Sequence, residues 1–338
     1  MTMQALIHNP PASLSILQKA GMIANMAASK SVFARYREKR AENTLSRQAQ
    51  DLALFGRYLE DAGLEVDCDF QGNPDCWQGI TWGIVEGFVA WQLKQGYAVS
   101  SANVRLSTVK TYAQLAAKAG AIDAQDLALI QTVKGYSRKE GKRVDEKRPQ
   151  ARQVGAKKAE AVNLSAEQAR QLTAQPDSPQ GRRDALMMAL LLEHGLRAGE
   201  IAALTLGNFD ITAAELRFYR PKVDKETAHR LTARTLKALL AYLPDAPQAG
   251  PLLKASRKDG SLIDSTLNRL TLTRRVRDLG KAIGIDGLSA HDCRHYCATD
   301  MAAKGYSVKE LMEWFGWASP AMAIRYIADN EISERDKG

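Results

Sequence analysis

Apolar residues recur every three or four positions through most of the chain, a period that predicts helices. Leu45, Leu52, Phe55 and Leu59 fall on one side of a helix from Thr44 to Ala62, with Asn43 as its cap and Gly63 as its stop. Trp82, Val85, Phe88, Val89 and Trp91 mark a second helix over 81–94. Val104, Leu106, Val109, Tyr112 and Leu115 mark a third over 103–119 that closes at Gly120, and a shorter helix covers 124–134. Four helices in about 100 residues make a small all-helical domain.

The second half opens on a capping box, Ser165 with Gln168, ahead of a helix that ends before Pro176. A strongly apolar helix follows over 182–193, breaks at Gly195-Leu196, and is succeeded by a short helix over 198–204. Period-two alternation occurs once, in Glu215-Leu216-Arg217-Phe218-Tyr219-Arg220. A turn over 222–227 and His229-Arg230-Leu231 then complete a β-hairpin. Further helices are predicted over 233–243, 265–283, 290–303, 307–315 (capping box Ser307/Glu310) and 320–328, the last with Ser319 as N-cap and Pro320 at its first position. The fold class is therefore mainly α: a helical N-terminal domain, then a mainly helical domain with one small antiparallel β-hairpin.

Composition bounds this picture. A chain of 338 residues favours two domains. Its longest apolar run, Ala185 to Leu192, is far short of the ~20 residues that span a bilayer, and Pro10-Pro11 interrupts the N-terminal stretch where an export signal needs continuity. A cytoplasmic protein with no membrane partner is expected. The cysteines at 68, 76, 293 and 297 lack Cys-x2-Cys spacing, so free thiols are expected, with neither a disulfide nor a metal site. The formal charge is +9, and +6 of it lies between Lys134 and Glu160. That stretch also holds Gly135, Gly141, Pro149 and Gly155 and shows no sustained helical period, so it reads as a basic linker. It serves either as a solvated tether or as a strap along a phosphate backbone. The chain thus divides into an N-terminal arm (1–30), a helical core domain (31–134), a basic linker (135–162) and a second domain (163–338). Arg105, Lys110, Lys139, Arg143 and Arg148 are the candidate contacts to a nucleic-acid backbone.

Taken singly, the polar residues of the second domain are ordinary surface groups. Their order is not ordinary. Arg197 opens a helix within Glu193-His194-Gly195-Leu196-Arg197-Ala198-Gly199-Glu200, and Lys222 sits in the hairpin turn. His291-Asp292-Cys293-Arg294-His295 comes next, then Phe315-Gly316-Trp317, then Tyr326 nine residues beyond Trp317. This series resembles the catalytic domain of the tyrosine recombinases, the phage integrase family, over about residues 163 to 328. Trp317 stands where most members have histidine, which is most similar to the Cre branch of simple site-specific recombinases.

Breaking a DNA phosphodiester without losing its energy calls for a protein nucleophile, and a phenol forms a phosphodiester that a returning DNA hydroxyl can attack. Tyr326 is that nucleophile. A phenol with a pKa of about 10 needs positive charge and a proton acceptor nearby. Arg197 and Arg294 supply forked donors to the non-bridging oxygens, and His291, on the same helix face as Arg294, bonds the phosphate or accepts the phenolic proton. The resemblance implies that Lys222 protonates the leaving 5′ oxygen, with Lys225 as the competing lysine. Trp317 donates through its indole N–H and packs beside the tyrosine, and Glu200, one turn from Arg197, orients it. His295, Tyr296 and Tyr306 are left outside the site. The resemblance further implies double-stranded DNA with inverted half-sites, a homodimer on one site, a homotetramer in synapsis, a Holliday junction, and no metal or other cofactor. The alternatives are a type IB topoisomerase-like or telomere-resolving enzyme, or an inactive DNA-binding regulator of the same fold.

Overall fold

Serine hydroxyls start many of the helices. In the computed structural model, which describes residues 15–147 and 162–335, Ser15, Ser165, Ser289 and Ser307 each accept from the backbone N–H three residues on. The side chain at that third position bonds back in turn. The chain forms two compact units, residues 1–157 and 158–338.

The first unit contains α1 (Ile16–Ser29), α2 (Val32–Glu38), α3 (Glu42–Asp61), α4 (Trp82–Lys94), α5 (Val99–Ala119), α6 (Ala124–Thr132) and α7 (Arg138–Glu146). Leu52, Phe55, Phe88, Val109 and Tyr112 meet in its core around Trp77, whose indole N–H donates to the Phe70 carbonyl at 3.0 Å. Sequence and structure differ here in four places. Helix α3 starts at Glu42 with Ala41 at its cap position, so Asn43 lies inside it rather than capping it. Part of the basic stretch is helical, α7, where Ser137 and Glu140 cap each other's backbone and Gly141 packs on Val99 of α5. The arm assigned to 1–30 contains α1, none of whose residues is buried. Cys68 and Cys76 form a disulfide, against the expectation of free thiols, because the loop between α3 and α4 brings their α-carbons within 5.7 Å. Arg148 lies outside the described residues.

The second unit contains α8 (Ala166–Thr173), α9 (Pro179–Leu192), α10 (Ala198–Ala203), β1 (Phe209–Asp210), β2 (Glu215–Arg220), β3 (Lys225–Arg230), α11 (Ala233–Tyr242), β4 (Lys254–Ser256), β5 (Leu262–Thr266), α12 (Arg269–Ala282), α13 (Ala290–Ala303), α14 (Val308–Phe315) and α15 (Pro320–Arg335). The apolar run of α9 is its axis: Leu186 through Leu192 are all buried, and the helix packs against α8, α11 and α13. Strands β1, β2 and β3 form one antiparallel sheet. Two details depart from the sequence reading. The hairpin turn is residues 221–224, with Lys225 already in β3 opposite Arg220. A second two-stranded sheet, β4 with β5, occupies residues read partly as helix, because Asn268 accepts from the N–H groups of Leu270 and Thr271 and so delays the helix to Arg269. Both of its strands are short and none of their residues is buried, so no alternation announces them.

A separate apolar cluster joins α13, α14 and α15: Cys297, Ala298, Met301, Leu311, Phe315, Ala323 and Tyr326. No helix among the described residues is long and apolar enough to cross a membrane.

Candidate active site

The site is built around two glycines and one glutamate. Gly195 has φ +59°, and any side chain there would run into the ring of Phe315; its carbonyl accepts from Arg294 Nη1. Gly316, also at φ +59°, ends α14, and a Cβ there would stand 2.7 Å from Arg220 Cδ. Both positions bring backbone close to a guanidinium.

Arg197 is the cap residue of α10. Its backbone N–H and its Nη1 both donate to Glu200, at 2.8 and 2.7 Å. The Glu200 carboxylate is 5% exposed and also lies 3.6 Å from Arg220 Nη1. Arg220 is completely buried, donating to the Phe315 carbonyl (2.9 Å), the Trp314 carbonyl (2.7 Å) and Thr227 Oγ1 (3.1 Å). Arg294, on α13, donates to that same Phe315 carbonyl at 2.6 Å, with its guanidinium 4.9 Å from the centre of the Phe315 ring. Two guanidiniums thus pair with Glu200, and the third, that of Arg294, joins them through the Phe315 carbonyl. Burial first, then Arg197, pushes the Arg294 pKa down to about 9, with Glu200 opposing; burial likewise lowers Arg220 to about 10. Negative charge placed among them would favour their charged forms. His229 adds no charge beside it, because burial pushes its pKa far below the usual imidazole range.

Tyr326 lies on α15, 5% exposed, between two rings. The Trp317 ring stacks on it at 5.4 Å and 3° between planes, and the His295 ring stands 5.0 Å away on the other helix, α13. His295 is 5.3 Å from His291, which is exposed. Trp317 also stacks on Phe315 at 4.7 Å. Phe315 therefore connects the arginine cluster to the tyrosine: its carbonyl serves Arg220 and Arg294, and its ring backs Trp317. Lys222 stands exposed in the hairpin turn two residues beyond Arg220, and Lys225 is exposed on β3.

Arg197, Glu200 and Arg294 are thus brought together, as are Trp317 and Tyr326, with His291 reached through His295. Two further residues, not singled out from the sequence, stand among these groups. Arg220 follows Leu216 and Phe218 at period two, so alternation places it on the buried face of β2. His295 is four residues from His291, hence on the same helix face.

The DNA-contact candidates have separate settings. Arg105 donates to Gln92 Oε1 at 3.2 Å and lies over the Tyr97 ring. Lys110 Nζ donates to the Gln131 carbonyl at 2.8 Å. Lys139 and Arg143 are exposed on α7. No cluster of metal-ligand side chains occurs among the described residues.

The phage integrase family profile matches residues 162–332, the whole stretch that carries this site. The chain is 24% identical over 299 residues to tyrosine recombinase XerC of Actinobacillus pleuropneumoniae, covering 87% of this chain and 86% of that one. It is 25% identical over 280 residues to tyrosine recombinase XerD of Pseudomonas aeruginosa, covering 82% and 83%. Among solved structures, the Tn1549 transposon integrase in complex with circular intermediate DNA shares the fold at TM-score 0.60 and 15% identity, covering 91% of this chain and 99% of that one. A lambda integrase dimer bound to a core site does so at 0.58 and 18%, covering 88% and 94%.

The chain belongs to the phage integrase family. It is a tyrosine-type site-specific DNA recombinase, an enzyme that breaks and rejoins DNA strands.

Proposed function

We propose that Tyr326 Oη attacks the scissile phosphate of a DNA strand, forming a phosphorus–oxygen bond while the bond to the 5′ oxygen breaks. The product is a 3′-phosphotyrosyl link, whose energy is retained for rejoining. The observation that carries this reading is the connection through Phe315, which ties Arg294 and Arg220 to the ring stack on Tyr326. Arg197 and Arg294 hold the non-bridging oxygens as negative charge grows, and Glu200 orients Arg197. Lys222 gives a proton to the departing 5′ oxygen. Trp317 supports the tyrosine and donates its indole N–H to the phosphate. No metal or nucleotide takes part in this scheme.

His291 accepts the phenolic proton or bonds the phosphate. A second reading gives the acceptor role to His295, favoured by its ring lying 5.0 Å from that of Tyr326. The two separate in a pH profile of single-turnover cleavage. Replacing the acceptor by glutamine removes the acid-side limb and slows the step by about 10²-fold, whereas replacing the other histidine leaves the limb in place.

The helical unit and the basic stretch, with Lys139, Arg143 and Arg148, grip the DNA backbone. Two protomers occupy inverted half-sites, and two such dimers synapse as a homotetramer that passes through a Holliday junction. The Cre-like character rests on Trp317. The test is covalent capture: nicked duplexes of randomised sequence, incubated with the protein in EDTA, should yield an SDS-resistant adduct enriched in one site. A topoisomerase would instead relax plasmids lacking that site, and an inactive regulator would bind without any adduct.

A further inference from the structure

Lys222 lies in an exposed turn, yet a proton donor must arrive at one oxygen atom. What fixes the turn relative to the phosphate is visible at its root. Arg220, the last residue of β2, pairs with Lys225 across the hairpin, and Pro221 follows it with a ring that restricts the backbone. Its guanidinium, completely buried, donates to Thr227 on β3 and to the Trp314 and Phe315 carbonyls at the end of α14, and lies 3.6 Å from Glu200 on α10. Two of these partners are shared. The Phe315 carbonyl also accepts from Arg294, and Glu200 also accepts from Arg197. His229 Nε2 lies 3.0 Å from the Trp314 carbonyl and reinforces the same junction. A guanidinium taken wholly out of water is retained only where many acceptors meet it, and two of these acceptors, Glu200 and the Phe315 carbonyl, also hold Arg197 and Arg294. From there to Lys222 is two residues, at most about 7 Å of chain.

We propose that Arg220 is a positioning residue for the general acid: it locks the root of the hairpin to the anchors of Arg197 and Arg294, so that Lys222 is set at the leaving oxygen. This inference rests on reading Lys222 as the proton donor.

A leaving-group test separates it from a merely structural role. The captured site is prepared as a nicked duplex with either oxygen or sulfur as the bridging 5′ atom at the scissile phosphate. With sulfur, Tyr326 attack breaks the phosphorus–sulfur bond and the electron pair leaves on a thiolate that needs no proton, since thiols ionise near pH 8.5. Arg220→Lys and Arg220→Met should cleave the oxygen substrate about 100-fold more slowly while cleaving the sulfur substrate within roughly threefold of the parent protein. A glycine inserted between Arg220 and Pro221 lengthens the tether without touching the guanidinium's partners and should give the same selective loss. Because it lies at an exposed turn, it carries the test where Arg220→Met fails to fold. Equal losses on both substrates for the Arg220 variants, or no loss on the oxygen substrate, would overturn the proposal. Lys222→Ala losing both substrates alike would overturn the general-acid reading itself.

Discussion

In the helical unit, Asp51 lies beneath Arg47 and Arg105; in the catalytic unit, Glu200 lies beneath Arg197 and Arg220. Asp51 accepts from Arg47 and from Thr108 Oγ1 at 2.7 Å, with Arg105 Nε 3.9 Å away, and Arg47 keeps 45% of its side chain in solvent. The hydroxyl completes a local network that joins α3 to α5. Glu200 instead accepts from the Arg197 side chain and backbone N–H within α10, and the cluster draws in a third guanidinium, Arg294, through a shared carbonyl. One carboxylate facing two partly solvated arginines makes a structural link. One carboxylate paired with two guanidiniums, with a third tied in by a shared carbonyl and two of the three buried, is where the proposed mechanism seats the phosphate. Similar parts differ in use because of the charge balance and the burial around them.

The largest effect should come from the buried excess of charge. Arg294→Lys keeps the charge but loses the fork that reaches both the Gly195 and Phe315 carbonyls, so single-turnover cleavage should fall about 10²- to 10³-fold. DNA affinity in a gel-shift titration should hardly change.

A paired substitution sharpens the contrast between the two carboxylates. Glu200→Gln should slow cleavage roughly 10- to 100-fold, the worth of a charge-assisted hydrogen bond, with little change in DNA binding. Asp51→Asn should leave the cleavage rate of the folded protein unchanged and lower unfolding stability by roughly 1–3 kcal/mol in a urea titration. The opposite pattern would undo the distinction.

The smallest effect belongs to the helical unit's disulfide. Replacing Cys68 and Cys76 by serine should cost about 2 kcal/mol of stability for so short a loop, and dithiothreitol should lower the midpoint of the parent protein to the same point. Cleavage should not respond.

Much of this arrangement is legible in the sequence where the determinant is local. The capping boxes at Ser165 and Ser307 need only residues three apart, and the apolar run of α9 announces a helix buried on all sides. The order of Arg197, Arg294, Trp317 and Tyr326 is likewise a property of the chain. What escapes is set by contacts distant in sequence. Arg220 is held by carbonyls 94 and 95 residues further on, and no local pattern says that a strand-end arginine will meet them, although period two places it on the inner face. His295 acquires its place when α15 docks on α13. The Cys68–Cys76 pairing follows from a loop path, and β4 and β5 are too short and too exposed to impose alternation.

In the proposed mechanism Tyr326 carries the DNA. Proteolysis of the SDS-resistant adduct followed by mass spectrometry of the DNA-linked peptide tests it most directly. The DNA-linked peptide should contain Tyr326, joined through its phenolic oxygen to a 3′ phosphate, and Tyr326→Phe should give no adduct. Attachment at any other residue, or an adduct that survives in Tyr326→Phe, would contradict it.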